Sequence, residues 1–219
     1  MTADTSSPAA LPADAPPAAA VLSWNSLLEG DPAMVGIPNV IAGATGLGLV
    51  TIGVFPAAAS GAALPILLSA PSVGMLIATI WAAALGQNVT ATLYGTILGF
   101  YISYVALGLG LRHDWYGIPA ADASSATEIY LICWLVAIGA LTLGTLRMPS
   151  SFTLLFGLVD LALVLLLIGT VNGSAALDRA GGWVVMAFVA EAVYLYLHVM
   201  LLATGGKGLP MGRPLFGDS

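Results

Sequence analysis

The stretch Ser150–Val171, SSFTLLFGLVDLALVLLLIGTV, decides the fold. It is dominated by Leu, Val and Phe, it is long enough to cross a bilayer as a helix of about 20 residues, and its single charge is Asp160 near the middle. Working outward, segments at about 33–56, 64–86, 90–111, 127–146 and 181–204 have the same character. With 59% hydrophobic residues, 7% charged and a mean hydropathy of +0.99, the chain lies far from the roughly 25% charged composition of ordinary globular domains. The expected fold class is an all-α membrane protein, with six transmembrane helices around a narrow central pore in residues 31–205. Residues 1–30 are rich in Ala, Pro and Ser and hold no Lys or Arg, which predicts a disordered tail rather than a secretory signal. Residues 206–219 form a second tail, polar enough to lie outside the bilayer.

The formal charge of −6 says little about partners, because acids such as Asp4, Asp14, Glu29 and Asp218 sit in the tails. No basic run exists, so nucleic-acid binding is excluded on electrostatic grounds. The single cysteine, Cys133, falls among apolar residues and is read as packing. There is no Cys/His cluster at metal-ligand spacing, no phosphate-cradling Gly-Lys loop and no nucleophile elbow, so no metal, no cofactor and no enzymatic activity are expected. Six spans put both ends on one side. Arg147, Lys207 and Arg213 stand there against Arg112 and Arg179 opposite, a faint positive-inside vote for cytoplasmic termini.

Asp31-Pro32-Ala33-Met34-Val35-Gly36-Ile37-Pro38-Asn39 opens the first span, and an Asp-Pro pair is a natural helix start. Asn39, Gly43 and Gly46 share one helical face. The second span starts at Leu64-Pro65 and is broken by Pro71; the third carries Thr92, Thr96, Gly99 and Ser103 along one stripe, with a close-packing Gly95-x-x-x-Gly99. Asn39 and the Thr92/Thr96/Ser103 stripe are therefore candidate pathway residues, although membrane-helix hydroxyls commonly bond back to their own carbonyls. Asp160 and Glu191 are the intramembrane acids. A carboxylate at mid-bilayer costs on the order of 3 kcal/mol, so such groups face a cavity or a partner. Glu191, Tyr194 and His198 follow i, i+3, i+7 and share a face, which makes Asp160, Glu191 and His198 the proton-coupling candidates and Tyr194 a pathway candidate.

These motifs together resemble the acetate uptake transporter family, the succinate–acetate permeases of YaaH type. Asp31-Pro-Ala-Met-Val-Gly-Ile37 is similar to its Asn-Pro-Ala-Pro-Leu-Gly-Leu, so that Asp31, Pro32 and Gly36 are the matched motif positions. Gly144-Thr-Leu-Arg147, Leu166-Leu-Ile-Gly169, Gly182-Trp183 with Tyr194, and Leu209-Pro-Met-Gly212 resemble later motifs, in order, over about 31–213. The resemblance implies a six-helix protomer in the plasma (inner) membrane with cytoplasmic ends, assembled as a hexamer, each protomer with its own pore. It implies transport of acetate or related small carboxylates, generally by proton symport. It also implies an apolar constriction at Val40, Leu98 and Val159, where relatives carry Phe, Tyr and Leu. Asp31 replaces a family Asn, Thr79 stands where relatives carry Gln, and Asp160 and Glu191 fall where relatives are uncharged. The extra acids and the thinner neck keep open a channel for another small solute, ammonium or a neutral weak acid. The long Ala/Pro tail keeps open a non-transporting membrane sensor or assembly protein.

Overall fold

In the computed structural model the described residues are 29–217, so residues 1–28, which make up most of the expected tail, lie outside them. Helix α1 spans Ala33–Ile52. Asp31 Oδ1 accepts the Ala33 amide at 2.8 Å, and the Asp31 carbonyl accepts that of Met34 at 3.0 Å. This satisfies donors that a helix start leaves free. The helix ends at Gly53, whose φ of 79° lets its N–H turn back on Leu49 and Val50.

The second span is two helices, α2 (Ala63–Leu68) and α3 (Ala70–Ala84), joined at Ser69 with φ −93° and ψ −82°. Pro71 causes the break, because it has no N–H for the Leu67 carbonyl four residues earlier. The Ser72 hydroxyl takes over that carbonyl at 2.8 Å, and the Ser69 hydroxyl bonds Pro65 O at 2.6 Å. In a bilayer no water is at hand to do so, and side-chain hydroxyls are the natural substitute.

Then follow α4 (Asn88–Arg112), α5 (Ala123–Thr145), α6 (Ser150–Asn172) and α7 (Ala175–Ala203). Two starts come earlier than the hydropathy predicted. For α7, the Ser174 side chain caps the Leu177 amide and Asp178 sits in the first turn, so residues 175–180, with the charged pair Asp178 and Arg179, belong to the helix rather than to a loop. For α5, a short 3-10 turn at Ala120–Asp122 leads directly into the helix. Counting α2 and α3 together, six helical segments are long and apolar enough to cross a membrane, and the described residues contain no strand.

Neighbour contacts close these helices into a ring in the order α1, α3, α4, α5, α6, α7 and back to α1. The broadest interface joins α1 and α7, where Gly182 lets the Ile52 backbone come so close that a side chain would collide with it. The thinnest joins α4 and α5, and aromatic side chains span it. Trp134 meets the Phe100 ring edge-on at 5.6 Å and donates its indole N–H to Ser103 Oγ at 3.0 Å, while the Tyr130 hydroxyl reaches Phe100 O at 3.0 Å. Large apolar side chains cover the outside of the ring, among them Val136 and Leu143, each 69% exposed. In a soluble domain such a surface would aggregate; here it suits lipid or a neighbouring subunit.

Candidate functional site

Two cavities lie stacked inside the ring. The larger, about 390 Å³, opens near the start of α1, and the smaller, about 40 Å³, lies deeper. Four helices build both. On α1, Ala33, Ile37 and Val40 line the first cavity and Ala44 and Leu47 the second, a single stripe at helical spacing. On α4 the stripe passes from Thr90, Leu93 and Tyr94 through Ile97 to Phe100 and Tyr101. On α6 it runs from Phe152, Leu155 and Phe156 to Val159 and Leu163. On α7 it descends from His198 through Leu195 and Ala192 to Phe188 and Val185. Ile97 and Phe188 border both cavities and so form the neck between them.

Polarity is graded along this lumen. The mouth carries Asp31, Gln87, Thr90, Tyr94 and His198, whereas the lower cavity is lined by apolar side chains and Tyr101. The Tyr101 hydroxyl is already committed to Val40 O at 3.0 Å. A water needs two to four polar partners to settle in a cavity, so the neck and the space below it favour a dry state.

Of the expected constriction, Val40 lines the upper cavity and Val159 the lower, but Leu98 lines neither. Its neighbour Ile97 faces the lumen instead, because adjacent helical residues point about 100° apart. The expected polar stripe lies elsewhere as well. The Thr92 hydroxyl is exposed and bonds to Asn88 O. Ser103 donates to Gly99 O at 2.7 Å and accepts from Trp134, so it belongs to the α4–α5 junction. Thr96 is half-buried and absent from both cavity walls. Asn39 bonds Val35 O at 2.7 Å and presses on Gly74, where a Cβ would overlap its amide; it belongs to the α1–α3 contact. The polar groups of Asn39, Thr92 and Ser103 close backbone carbonyls and helix seams and line neither cavity.

Of the motif positions, Asp31 stands at the cavity mouth, Pro32 is buried at the α1 start, and Gly36 leaves room for the Tyr94 ring. Asp160 faces α5. Its Oδ2 lies 2.6 Å from the Thr142 hydroxyl, which is also 2.9 Å from Ile138 O, while Oδ1 is buried without a partner. With the Thr145–Thr153 pair one turn away, this is a polar seam between α5 and α6, outside both cavity walls. Glu191 Oε1 is likewise buried without a partner. Tyr194 and His198, which share its face, do not bond to it. The Tyr194 hydroxyl donates to Pro210 O, and His198 Nδ1–H donates to Leu209 O at 2.7 Å.

The sequence reading missed Ile97, Phe188 and, apart from His198, the α7 wall. Phe188, Ala192, Leu195, Val199 and Leu202 do follow one helical face, but on a helix apolar all round no face stands out.

A family model described as the GPR1/FUN34/yaaH family matches residues 19–205. Among curated proteins, the chain is similar to Accumulation of dyads protein 2 of Saccharomyces cerevisiae, with 35% identity over 123 residues, 52% of this chain and 42% of that protein. It is also similar to Ammonia transport outward protein 2 of the same organism, with 30% identity over 151 residues, 60% of this chain and 52% of that protein. The chain thus spans about half the length of these relatives. Among solved structures it shares its fold with the bacterial acetate channel SatP, at a TM-score of 0.74 and 24% identity over 84% of this chain and 99% of that one. With the family model matching through all six spans, the chain belongs to the GPR1/FUN34/yaaH family.

Proposed function

We propose that each protomer is a membrane passage for acetate or related small carboxylates, running between α1, α4, α6 and α7. The observation that carries this reading is the lumen itself: lining stripes of four helices continue from a cavity of about 390 Å³, past an apolar neck at Ile97 and Phe188, into a second cavity. Val40 and Val159 flank that neck. Apolar necks gate by dewetting, so an ion loses hydration there and a neutral form passes more readily. His198 and Asp31 both line the upper cavity, and proton coupling would run through these two rather than through Asp160 in its seam. The name of the structural neighbour, an acetate channel, supports the substrate class.

A second reading, ammonium or ammonia, is favoured by one feature of the mouth: Asp31 is acidic, and no Lys or Arg lines either cavity among the described residues. The name Ammonia transport outward protein 2 points the same way. Assembly as a hexamer in the plasma (inner) membrane with cytoplasmic ends completes the proposal, on the family resemblance. Radiolabelled acetate uptake into proteoliposomes, with and without an imposed pH gradient, tests it. Protein-dependent uptake that rises with an inward proton gradient supports a coupled carboxylate passage. Uptake indifferent to the protein ends that reading, and inhibition by ammonium but not by propionate shifts the substrate to the second.

A further inference from the structure

The segment after α7 does not leave the molecule. Residues 207–216 turn back along the rim of the upper cavity, fastened at both ends. Near its start, His198 Nδ1–H donates to Leu209 O at 2.7 Å and the Tyr194 hydroxyl donates to Pro210 O. At its centre, Met211 O accepts the Ser151 amide at 3.1 Å from the first turn of α6. Further on, the Leu215 and Phe216 amides both reach Leu146 O, each at 3.0 Å, beyond the end of α5. Gly212, at φ +75°, packs so tightly on Ser150 that a side chain there would overlap its hydroxyl. The segment is thus pinned to three helices, and the residues it turns inward, Gly208, Leu209 and Met211, are half-buried while their neighbours are exposed.

Met211 lines the upper cavity together with Asp31, Gln87 and His198. The geometry points to a fifth wall of the pathway. Residues 208–212 close the mouth of the lumen, Met211 is a specificity-determining side chain there, and Tyr194 and His198 are positioning residues that hold it in register. This rests on the carboxylate reading above and adds to it the residues that set which solutes enter. It also gives the i, i+4 pair Tyr194/His198 a joint task that neither has as a partner of Glu191. Two adjacent carbonyls, of Leu209 and Pro210, are held by two donors one helical turn apart on α7.

The test compares butyrate with acetate uptake in proteoliposomes and follows backbone hydrogen exchange at Ser151, Leu215 and Phe216. Met211→Ala should raise the butyrate-to-acetate ratio by about tenfold, the discrimination that a methylene or two commands in a tight apolar site. His198→Ala and Tyr194→Phe should speed exchange at the three amides and move the ratio in the same direction. His198→Asn, which keeps an N–H donor near the Nδ1 position, should restore both readouts. An unaltered ratio in Met211→Ala, with acetate flux retained, overturns the specificity role alone. Faster exchange without any change in ratio reduces the segment to a fastening and overturns the wall. Absence of carboxylate flux in the unsubstituted protein overturns the carboxylate reading and the specificity role with it.

Discussion

Phe188→Ala is the most informative single change at the neck. Phe188 is 5% exposed, yet it borders a void on each side, and Ile97 across from it offers no hydrogen bond to a passing solute. A carboxylate squeezing between them gives up lateral contacts with water. A hydrogen bond to a charged group is worth about 1.5–3 kcal/mol, and each 1.4 kcal/mol is tenfold in rate. Removing the ring joins the two cavities and lets water follow the solute. Recovering one hydration bond should therefore speed acetate flux by about 10- to 100-fold. Truncating a buried Phe costs on the order of 3–5 kcal/mol of stability where the site is fully packed, and less where voids already adjoin it. The assay is initial-rate uptake of labelled acetate per reconstituted protein, with detergent melting to confirm that the variant is folded. Leu98→Ala serves as the control, because Leu98 is half-buried but touches neither cavity wall. A folded Phe188→Ala with unaltered flux, alongside a Leu98→Ala that accelerates it, would refute the assignment of the neck.

Other consequences follow from the seams. Gly74→Ala puts a methyl into the Asn39 amide and should lower the detergent melting temperature, at a cost of about 1–3 kcal/mol; adding Asn39→Ala should recover most of it. Thr142→Val leaves both Asp160 oxygens without a partner and should cost about 1–3 kcal/mol in chemical unfolding, with acetate flux in the surviving folded fraction unchanged. Asp160→Asn should leave the pH profile of flux as it was, measured across a series of buffered vesicles, and a flattened profile would return Asp160 to the pathway. Trp134→Phe removes the indole bond to Ser103 at the thinnest helix contact and should destabilise by about 1 kcal/mol, seen as an earlier loss of near-ultraviolet circular dichroism on heating.

The membrane fold was legible because hydropathy over about 20 residues is a coarse signal that side-chain detail cannot disturb. The break at Ser69 was legible too, since Pro71 must orphan the Leu67 carbonyl wherever the helix runs. The lumen was harder. A polar stripe such as Thr92/Thr96/Ser103 marks a face but not its destination, and here the hydroxyls of Thr92 and Ser103 close carbonyls of their own helix. The actual walls are apolar side chains on helices that are apolar all round, so Ile97 and Phe188 differ from lipid-facing neighbours only through the positions of the other helices. Asp160 and Glu191 stood out by charge, which reports an unusual partner or seam as readily as a pathway.

The central claim, that solute crosses inside a single protomer between α1, α4, α6 and α7, is tested most directly by blocking that lumen chemically. Ile97→Cys is made in a Cys133→Ala background, which removes the exposed native thiol of α5. The protein is reconstituted and treated during acetate uptake with a small methanethiosulfonate, which converts the thiol to a mixed disulfide and releases sulfinate. The expected result is protein-dependent flux that stops on modification and returns with reductant. Flux that continues unchanged after the introduced thiol has been fully modified would contradict the account.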